Sequence, residues 1–191
     1  METKTIFFIG KPGSGKGDQA RILSEKTGWK VITAGEQFRA ISSENTPVGQ
    51  KMKSEMNAGL LLPSWLPMYL LLKNLFSLSA DESVIFDGFC RKVPESELVI
   101  EALKWIGRPF SMVHLVVSDE ELKHRLELRK GNEGRADDNV VDERLKEYRT
   151  YTEPAIEKMR ESGNLIEVNG EGTREAIAEN ISEVLNIPST G

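Results

Sequence analysis

Short apolar runs alternate with segments of helical periodicity along most of the chain. The first apolar run, Thr5 to Ile9, is nearly continuous and ends in glycines, a pattern typical of a strand buried in a parallel sheet. From Asp18 to Lys26 the apolar residues follow helical spacing among charged residues. The chain therefore begins with a predicted strand, a glycine loop and a helix.

The same alternation recurs further along the chain. Four more strands are predicted, at Lys30–Thr33, Ser83–Phe86, Ser111–Val117 and Asn164–Val168. Helices are predicted at Glu95–Trp105, Asp119–Arg129, Asn139–Arg160 and Thr173–Leu185. Repeated strand and helix units predict an α/β fold with a five-stranded parallel sheet that is covered on both faces. The interval Ala34–Ser79 is too long for one crossover helix, so several short helices are expected there.

The length, net charge and composition of the chain exclude several classes of protein. A length of 191 residues fits one domain. The net charge of -5 argues against a nucleic-acid partner, whose phosphates require a basic surface. The single cysteine, Cys90, excludes an internal disulfide. The sequence contains no apolar stretch long enough to span a bilayer and no secretory signal at its N-terminus, so a cytoplasmic protein without membrane association is expected.

One segment carries a recognisable chemistry. Residues Gly10-Lys11-Pro12-Gly13-Ser14-Gly15-Lys16 match the phosphate-binding loop, in which a glycine and four further residues precede Gly-Lys. The match lies between a predicted strand and a predicted helix, as the motif requires. Its glycines allow backbone N–H groups to surround an anion, the helix N-terminus favours negative charge, and Lys16 adds a cation near the β- and γ-phosphates.

The residues after this loop resemble a known family. Gly15-Lys16-Gly17-Asp18-Gln19 is similar to the Gly-Lys-Gly-Thr-Gln of nucleoside monophosphate kinases, in particular the adenylate kinase family. Further segments resemble that family's motifs across nearly the whole chain. They are Ile32–Arg39 (Ile-Ser-Thr-Gly-Asp-x-Leu-Arg), Gly59–Pro63 (Gly-x-Leu-Val-Pro), Asp87–Arg91 (Asp-Gly-Phe-Pro-Arg), the pair Arg125 and Arg129, Arg135–Asp138 (Arg-x-Asp-Asp) and Arg144–Tyr148 (Arg-Leu-x-x-Tyr).

This resemblance implies a fold and an activity. The expected fold is a three-layer P-loop NTPase domain with a core (1–33, 64–129 and 139–191), an acceptor-binding insertion (34–63) and a short lid (130–138). The expected reaction converts ATP and AMP to two ADP by direct in-line transfer, catalysed by a monomer. Mg²⁺ is the implied cofactor, with Asp87 as a ligand through water. Phosphoryl transfer of this kind needs positioning and cationic stabilisation rather than a covalent nucleophile.

The resemblance also assigns residues to each role. The implied catalytic residues are Lys16, Arg91, Arg129, Arg135 and Arg144. The implied ATP-binding residues are Gly10, Pro12, Gly13, Ser14, Gly15, Lys16, Gly17, Asp18, Arg125 and Arg129. The implied AMP-binding residues are Thr33, Ala34, Gly35, Arg39, Leu60, Leu62, Gly88, Phe89, Arg91, Glu95, Arg135 and Arg144.

Four positions depart from the family pattern. Asp18 replaces a threonine and would weaken triphosphate binding unless it turns outward or meets a cation. Ala34 removes a hydroxyl from the acceptor side, and Cys90 replaces a proline, which is expected to loosen its turn. Glu95 replaces a glutamine whose amide both donates to and accepts from adenine, whereas an ionised carboxylate only accepts.

These departures leave alternatives open. Glu95 suits the paired N–H groups of guanine, so a kinase acting on GMP or on a pyrimidine monophosphate is one alternative. Another interpretation of Glu95 is an exposed glutamate in the first turn of a helix. A nucleotide-binding regulator that has lost most of its turnover is the alternative from a different class. Intact Lys16, Arg39, Asp87 and Arg91 argue against that class.

Overall fold

The structure, a computed structural model, describes residues 4–132 and 140–187. Leu126 and residues 129–132 are described by their backbone alone. The five strands are β1 (Thr5–Gly10), β2 (Lys30–Thr33), β3 (Val84–Asp87), β4 (Phe110–Val116) and β5 (Leu165–Asn169). They form one parallel sheet in the order β2-β3-β1-β4-β5. The predicted five-stranded parallel sheet is confirmed, and every predicted strand end lies within one residue of the observed one.

The helices of the described residues cover both faces of the sheet and fill the connections. They are α1 (Lys16–Thr27), α2 (Ala34–Ser42), α3 (Pro47–Asn57), α4 (Trp65–Phe76), α5 (Val93–Trp105), α6 (Asp119–Asn132), α7 (Val141–Glu147), α8 (Glu153–Glu161) and α9 (Arg174–Val184). Among these ranges, no helix has the length and apolar character needed to cross a membrane.

The helical stretch predicted at Asn139–Arg160 is confirmed for the described residues, which are helical from Val140 to Glu161, but it is not a uniform α-helix. The segment divides into α7 and α8, with a π-helical turn at Tyr148–Thr152 between them. A π-helical turn shifts the backbone hydrogen-bond register without interrupting the apolar spacing that led to the prediction. The helix predicted at Asp119–Arg129 also extends further, to Asn132.

Alternation along β1 builds the core on both faces of the sheet. Phe7 and Ile9 pack on one face against a cluster that includes residues of α4, α5 and α8. Ile6 and Phe8 point to the other face, where α1 and α9 cover them. All six residues of β1 are buried, as expected for the central strand of a three-layer α/β domain.

The sheet order also fixes where a ligand can bind. The central strand β1 lies between β3 and β4. From their C-terminal ends, β1 leads to β2 on one side of the sheet and the neighbouring β3 leads to β4 on the other, so these two connections run in opposite directions. A crevice at such a switch point is the usual ligand site of open parallel sheets. The glycine loop follows β1, and Asp87 is the last residue of neighbouring β3, so both lie at this edge.

Candidate active site

The loop from Lys11 to Gly15 turns tightly between β1 and α1. Gly13 and Gly15 have φ angles of 88° and 90°, a left-handed conformation that favours glycine. A Cβ atom on Gly10 would lie 2.7 Å from Ser14 Oγ and 3.0 Å from the carbonyl oxygen of Leu115. The glycine spacing of the motif is therefore required by the close approach of the loop to β4, and the loop opens onto the N-terminus of α1, which favours anions.

The two lysines of the loop have different environments. Lys11 donates from Nζ to the carbonyl oxygen of Val117 at 3.1 Å and to Asp119 Oδ1 at 2.5 Å. This contact lowers the pKa of the Asp119 carboxyl. Lys16, at the start of α1, instead lines the large cavity described below. Lys11 therefore anchors the loop to the segment that follows β4, and Lys16 is the lysine that faces the candidate site.

Asp87 lies at the same edge, next to the start of α1. A Cβ on Gly17 would be 3.3 Å from Asp87 Oδ2. The Asp87 side chain is buried, and Oδ1 has no hydrogen-bond partner in the protein. A buried carboxylate oxygen without a partner is costly and fits a site completed by a bound ion or water. Carboxylate oxygen is a ligand that Mg²⁺ prefers, so the residue type fits this cation.

The surroundings do not form a complete protein cage for a metal. Among the described residues, no group of three or more His, Cys, Asp or Glu side chains could hold an ion. Mg²⁺ commonly binds through one or two carboxylates together with waters and substrate phosphates. Asp87 beside the phosphate-type loop matches that mode.

Arg125 connects the loop to the far side of the sheet. Its guanidinium donates to the carbonyl oxygen of Ser14 at 3.2 Å and to that of Gly170 at 2.8 Å, while Nε donates to Glu121 at 2.6 Å. Gly170 follows β5. Arg125 therefore joins the glycine loop, α6 and the β5–α9 connection at one edge of the site.

A cavity of about 910 Å³ opens beside the glycine loop. Its size suits a nucleotide-sized ligand. Five cationic residues line it: Lys16, Arg39, Lys53, Arg91 and Arg144. They come from α1, α2, α3, the turn after β3, and α7. Cations gathered from five separate segments around one cavity indicate a polyanionic ligand, because phosphates are bound through such groups.

Arg91 is oriented by its own turn. Its Nε donates to the carbonyl oxygen of Gly88 at 2.9 Å. Gly88 has φ of 81°, and a Cβ there would lie 2.9 Å from Arg91 Nη2. The glycine thus makes room for the guanidinium, which explains why a glycine precedes Arg91 by three residues in this motif.

The loop at residues 59–62 also lines the cavity, and two side chains from other segments hold it in place. The Leu61 N–H donates to Glu147 Oε2 at 2.8 Å, and Lys92 Nζ donates to the carbonyl oxygen of Leu62 at 3.0 Å. A Cβ on Gly59 would lie 3.1 Å from the Cβ of Val140. This loop therefore contacts the segment that leads from the expected lid into α7.

Comparison with known proteins identifies the family. The family model for adenylate kinase matches residues 8–164. An adenylate kinase of Bacteroides fragilis is 38% identical over 184 residues, which is 95% of this chain and 97% of the relative. Adenylate kinases of Leptospira biflexa (37% identity, 93% of this chain and 97% of the relative) and Thermus thermophilus (35% identity, 96% and 98%) are similar over comparable lengths.

The chain belongs to the adenylate kinase family. Membership makes it an ATP-dependent nucleoside monophosphate kinase, so the resemblance read from the sequence motifs is confirmed. Its parallel sheet and helical layers agree with the P-loop NTPase fold expected for that family.

Within this adenylate kinase fold, the residues predicted for the donor lie together. Gly10, Pro12 and Lys16 line the cavity. Gly13, Ser14, Gly15 and Gly17 complete the loop or the first turn of α1. Arg129 belongs to α6, but its side chain lies outside the described residues, as does all of Arg135. The expected lid, 130–138, is described only up to Asn132.

The residues predicted for the acceptor divide into two groups. Those that line the cavity are Gly35, Arg39, Leu60, Leu62, Gly88, Arg91, Glu95 and Arg144. Thr33 and Ala34 form the junction of β2 and α2, and the Ala34 methyl lies 3.8 Å from the Cβ position of Gly88. Phe89 is buried in the core with its ring 5.6 Å from that of Phe86, and it does not line the cavity.

Asp18 turns away from the glycine loop. One carboxylate oxygen accepts a hydrogen bond from Arg21, and the other accepts one from Arg174 at 2.7 Å. Both conditions under which Asp18 would be tolerated are therefore met, since its charge faces outward and is paired with cations.

Cys90 and Glu95 form one buried unit beside the cavity. Cys90 is fully buried with φ of 61°, a value that a proline ring, fixed near −65°, does not adopt. The next residue, Arg91, donates its N–H to Glu95 Oε2 at 2.8 Å, so the turn is held by a hydrogen bond. Burial raises the pKa of the Cys90 thiol well above its usual range, which agrees with a residue that is not a nucleophile.

The interpretation of Glu95 as an exposed first-turn glutamate is wrong. Its side chain is 2% exposed and borders the cavity. Burial raises the pKa of its carboxyl, against the lowering effects of hydrogen bonds from the Arg91 N–H and Ser64 and of the charges on Arg91 and Lys92. Val99 and Leu103 lie four and eight residues later on the same face of α5 and are buried, so this face of the helix points into the protein.

Several residues at the site were missed by sequence reasoning. Lys53 lines the cavity from α3, and Glu147 and Lys92 hold the 59–62 loop. Arg174 pairs with Asp18 across the β5–α9 connection. No local motif marks these residues, because each acts through a contact with a distant segment. For Glu147 the sequence did contain one signal. It lies one turn after Arg144 on the same predicted helix, so the two side chains share a face of that helix.

Proposed function

We propose that this protein transfers the γ-phosphoryl group of MgATP to AMP and yields two ADP. The observation that carries the proposal is the single cavity lined both by Lys16 of the phosphate-binding loop and by Arg39, Arg91 and Arg144. A donor triphosphate and an acceptor monophosphate together carry several negative charges that these cations would balance. The adenylate kinase relatives, similar over more than nine-tenths of the chain, support AMP as acceptor.

On the donor side, the backbone N–H groups of Gly13, Gly15, Lys16 and Gly17, at the N-terminus of α1, would bind the phosphates. Lys16 would contact the β- and γ-phosphates. Arg125 would maintain the loop by its hydrogen bond to Ser14, and its position between the loop and Gly170 supports a role beside the donor nucleotide. The bond from the γ-phosphorus to the β-phosphate oxygen breaks as a bond to an oxygen of the acceptor phosphate forms.

Asp87 is the residue that would hold Mg²⁺, through water, beside the donor phosphates. The buried, unpartnered Oδ1 supports this role. When bound, the cation neutralises charge on the β- and γ-phosphates and thereby assists transfer. Asp87 would orient the metal's waters, and the absence of a side chain at Gly17 leaves space next to its Oδ2.

On the acceptor side, Arg39 and Arg91 would bind the monophosphate, with the insertion 34–63 as the acceptor-binding unit. Gly35, Thr33, Ala34 and Gly88 would shape its entry. Arg144, together with Arg129 and Arg135, would stabilise the transferred group, and residues 130–138 would serve as a short lid. Closure would exclude water, which otherwise competes with the acceptor for the phosphoryl group.

GMP is the second candidate acceptor, because of Glu95. An ionised carboxylate accepts two hydrogen bonds, which matches the two adjacent N–H groups on the guanine edge. The specific observation that favours this alternative is the position of Glu95, which is buried at the border of the cavity. The relatives support AMP, and a direct comparison of acceptors distinguishes the two.

The experiment is a coupled assay of MgATP with AMP, GMP, CMP and UMP in turn. We expect AMP to have the highest kcat/KM. Lys16→Ala should lower it at least about a hundredfold, the typical cost of removing one group that stabilises a charged transition state. Lys73→Ala, on the exposed side of α4, is the matched control and should behave like the wild type. Nucleotide binding without transfer to any of the four acceptors would overturn the proposal in favour of a nucleotide-binding regulator.

A further inference from the structure

Glu95 is buried at the border of the cavity, at a position where the sequence resemblance implies contact with the acceptor base. It is the third residue of α5, and it borders the same cavity as Arg39 and Arg91. The residue is 2% exposed, so its carboxyl group is largely removed from bulk water. A carboxyl group removed from water favours its neutral form, because the charged form loses hydration.

Its protein partners satisfy only part of its hydrogen-bonding capacity. Oε2 accepts the Arg91 N–H at 2.8 Å, and Ser64 also hydrogen-bonds the carboxyl group. An ionised carboxylate offers about four acceptor positions, and a protonated one offers a donor as well. A proton on Oε1 leaves the contact of the Arg91 N–H with Oε2 intact, and the Ser64 hydroxyl, which can donate or accept, is compatible with either form of the acid. In its neutral form Glu95 can therefore offer an O–H donor and a lone pair to a ligand without losing the Arg91 contact.

The adenine edge demands that combination. Its exocyclic amine donates a hydrogen bond, and its N1 accepts one. An ionised carboxylate would accept from the amine but would oppose the N1 lone pair, whereas a neutral carboxylic acid accepts and donates as a glutamine amide does. The guanine edge, with two adjacent N–H groups, demands the ionised form instead.

The charged groups around Glu95 determine how easily it is protonated. Burial raises its pKa, and the charges of Arg91 and Lys92 act in the opposite direction. Binding of the AMP phosphate at Arg91 would neutralise the nearer of these cations and favour the neutral acid further. The Cys90 thiol beside it stays protonated. The charged residues on the other walls of the cavity are Lys16, Arg39, Lys53, Arg144 and Glu147.

We propose that Glu95 binds the acceptor base as a neutral carboxylic acid, so that AMP enters the site together with one proton. The inference rests on the proposed AMP kinase activity and specifies how that site selects its base. Specificity for adenine over guanine then depends on the protonation of one residue. Acidic conditions favour AMP, and alkaline conditions reduce the preference.

The first experiment is a pH profile of kcat/KM for AMP and for GMP between pH 6 and 9.5. For the wild type with AMP, we expect a fall that approaches tenfold per pH unit at the alkaline end. Glu95→Gln presents the donor and acceptor at every pH, so its profile should lack that fall and should exceed the wild type at pH 9.5. Glu101→Gln, on the exposed side of α5, is the matched control and should follow the wild type.

A binding measurement tests the proton directly and needs no variant. AMP binding is measured by calorimetry at pH 8 and 9 in two buffers with different ionisation enthalpies. At these pH values the AMP phosphate, with a second pKa near 6, is already a dianion and contributes no proton. We expect the wild type to take up a fraction of a proton that approaches one at pH 9, and Glu95→Gln to take up none.

The outcomes separate this inference from the proposed function. Transfer to AMP with a wild-type profile that matches Glu95→Gln, or AMP binding without proton uptake at both pH values, overturns the neutral-acid inference and leaves the kinase assignment intact. A wild-type preference for GMP at every pH overturns the inference together with AMP as acceptor. No transfer to any monophosphate overturns both proposals.

Discussion

Asp18 and Arg174 lie 156 positions apart in the sequence, and the Arg174 guanidinium donates a 2.7 Å hydrogen bond to the Asp18 carboxylate. Arg174 is the first residue of α9, and Asp18 lies in the first turn of α1. Gln19 reinforces the contact, because its side-chain amide donates to the Arg174 carbonyl oxygen at 3.0 Å. A carboxylate beside the phosphate-binding loop is thus paired with a cation from α9, the helix that packs beside α1 on the same face of the sheet.

We predict that Arg174→Ala raises the KM for MgATP, because Asp18 then keeps Arg21 as a partner but loses Arg174, and its less compensated charge repels the triphosphate. Exposed ion pairs are worth about 0.2–1 kcal/mol, so the expected rise is about 1.5- to fivefold. Asp18→Thr should lower the KM, and Arg174→Ala added to Asp18→Thr should have little further effect. Steady-state kinetics of the four proteins measure this coupling.

The control is Arg160→Ala, which removes an exposed arginine that pairs with Glu157 and Glu167. Equal effects of Arg174→Ala in both backgrounds would contradict the explanation.

Asp87 allows a second prediction, because its buried Oδ1 has no protein partner. Asp87→Asn keeps the shape of the side chain and removes the charge. We expect the Mg²⁺ concentration for half-maximal activity to rise about 10- to 100-fold, the range seen when groups that orient a metal's ligands are changed. The melting temperature of the protein without metal should stay the same or increase, because a buried charge has been removed.

The control for this metal prediction is Asp81→Asn, in the exposed turn before β3, which should change neither quantity. A loss of activity that comes with a lower melting temperature and an unchanged Mg²⁺ requirement would indicate a structural role for Asp87 instead.

The sequence predicted the parallel sheet well because its signals are local. Phe7 and Ile9 alternate with Ile6 and Phe8, and glycines end β1, so one short segment carries both the strand and the loop after it. The π-helical turn at Tyr148–Thr152 could not be read in this way, since it depends on packing of the helix and not on apolar spacing.

The site was predictable where a motif has a fixed local geometry, as at Lys16 and Arg91. It was not predictable where the environment comes from elsewhere in the chain. The sequence left Glu95 open between an exposed glutamate in the first turn of a helix and a residue that contacts the acceptor base, and the fold buries it against the cavity. Asp18 read as a charge near phosphates, but its actual partner, Arg174, belongs to the last helix of the described residues. Such pairings are properties of the tertiary structure.

The hydrogen bond between the Leu61 N–H and Glu147 Oε2 carries a third prediction. It fixes one wall of the acceptor side to α7, which also carries Arg144. Glu147→Ala removes a charged acceptor from a part-buried N–H, at a cost of about 1 kcal/mol or more. We expect the KM for AMP to rise about fivefold or more, and the KM for MgATP to change less.

Glu147→Gln retains an acceptor oxygen without charge and should show a smaller rise than Glu147→Ala. Glu143→Ala, one turn earlier on α7 and paired with Lys146, is the matched control. Equal increases in the KM values for both nucleotides would point to a general loosening of α7 and against a specific hold on the acceptor loop.

His114 on β4 lies in a polar contact that the proposed reaction does not use. Its Nδ1 is 3.2 Å from Glu167 Oε1, and its Nε2 is 3.1 Å from the Tyr148 hydroxyl. Both contacts are satisfied when a neutral imidazole donates from Nδ1 and accepts the Tyr148 O–H at Nε2. Burial lowers the pKa of His114, although Glu167 acts in the opposite direction. The folded protein therefore favours the neutral ring more strongly than the unfolded chain does.

This difference predicts a loss of stability on acidification. The unfolded chain binds a proton at His114 as the pH falls through about 6.5, while the folded protein resists protonation until a lower pH. The stability contributed by the neutral ring is thus complete above pH 6.5 and declines below it, by at most about 1.4 kcal/mol per pH unit. Thermal unfolding between pH 5 and 7.5 should show a steeper decline for the wild type than for His114→Gln, which can keep both hydrogen bonds without titrating.

The control is His124→Gln, on the exposed face of α6, which should follow the wild type. The pKa of Glu167 is lowered from an already acidic value, chiefly by Arg160, so its titration falls below this window. A constant difference in melting temperature between wild type and His114→Gln across the range would contradict the assignment of a neutral, buried His114.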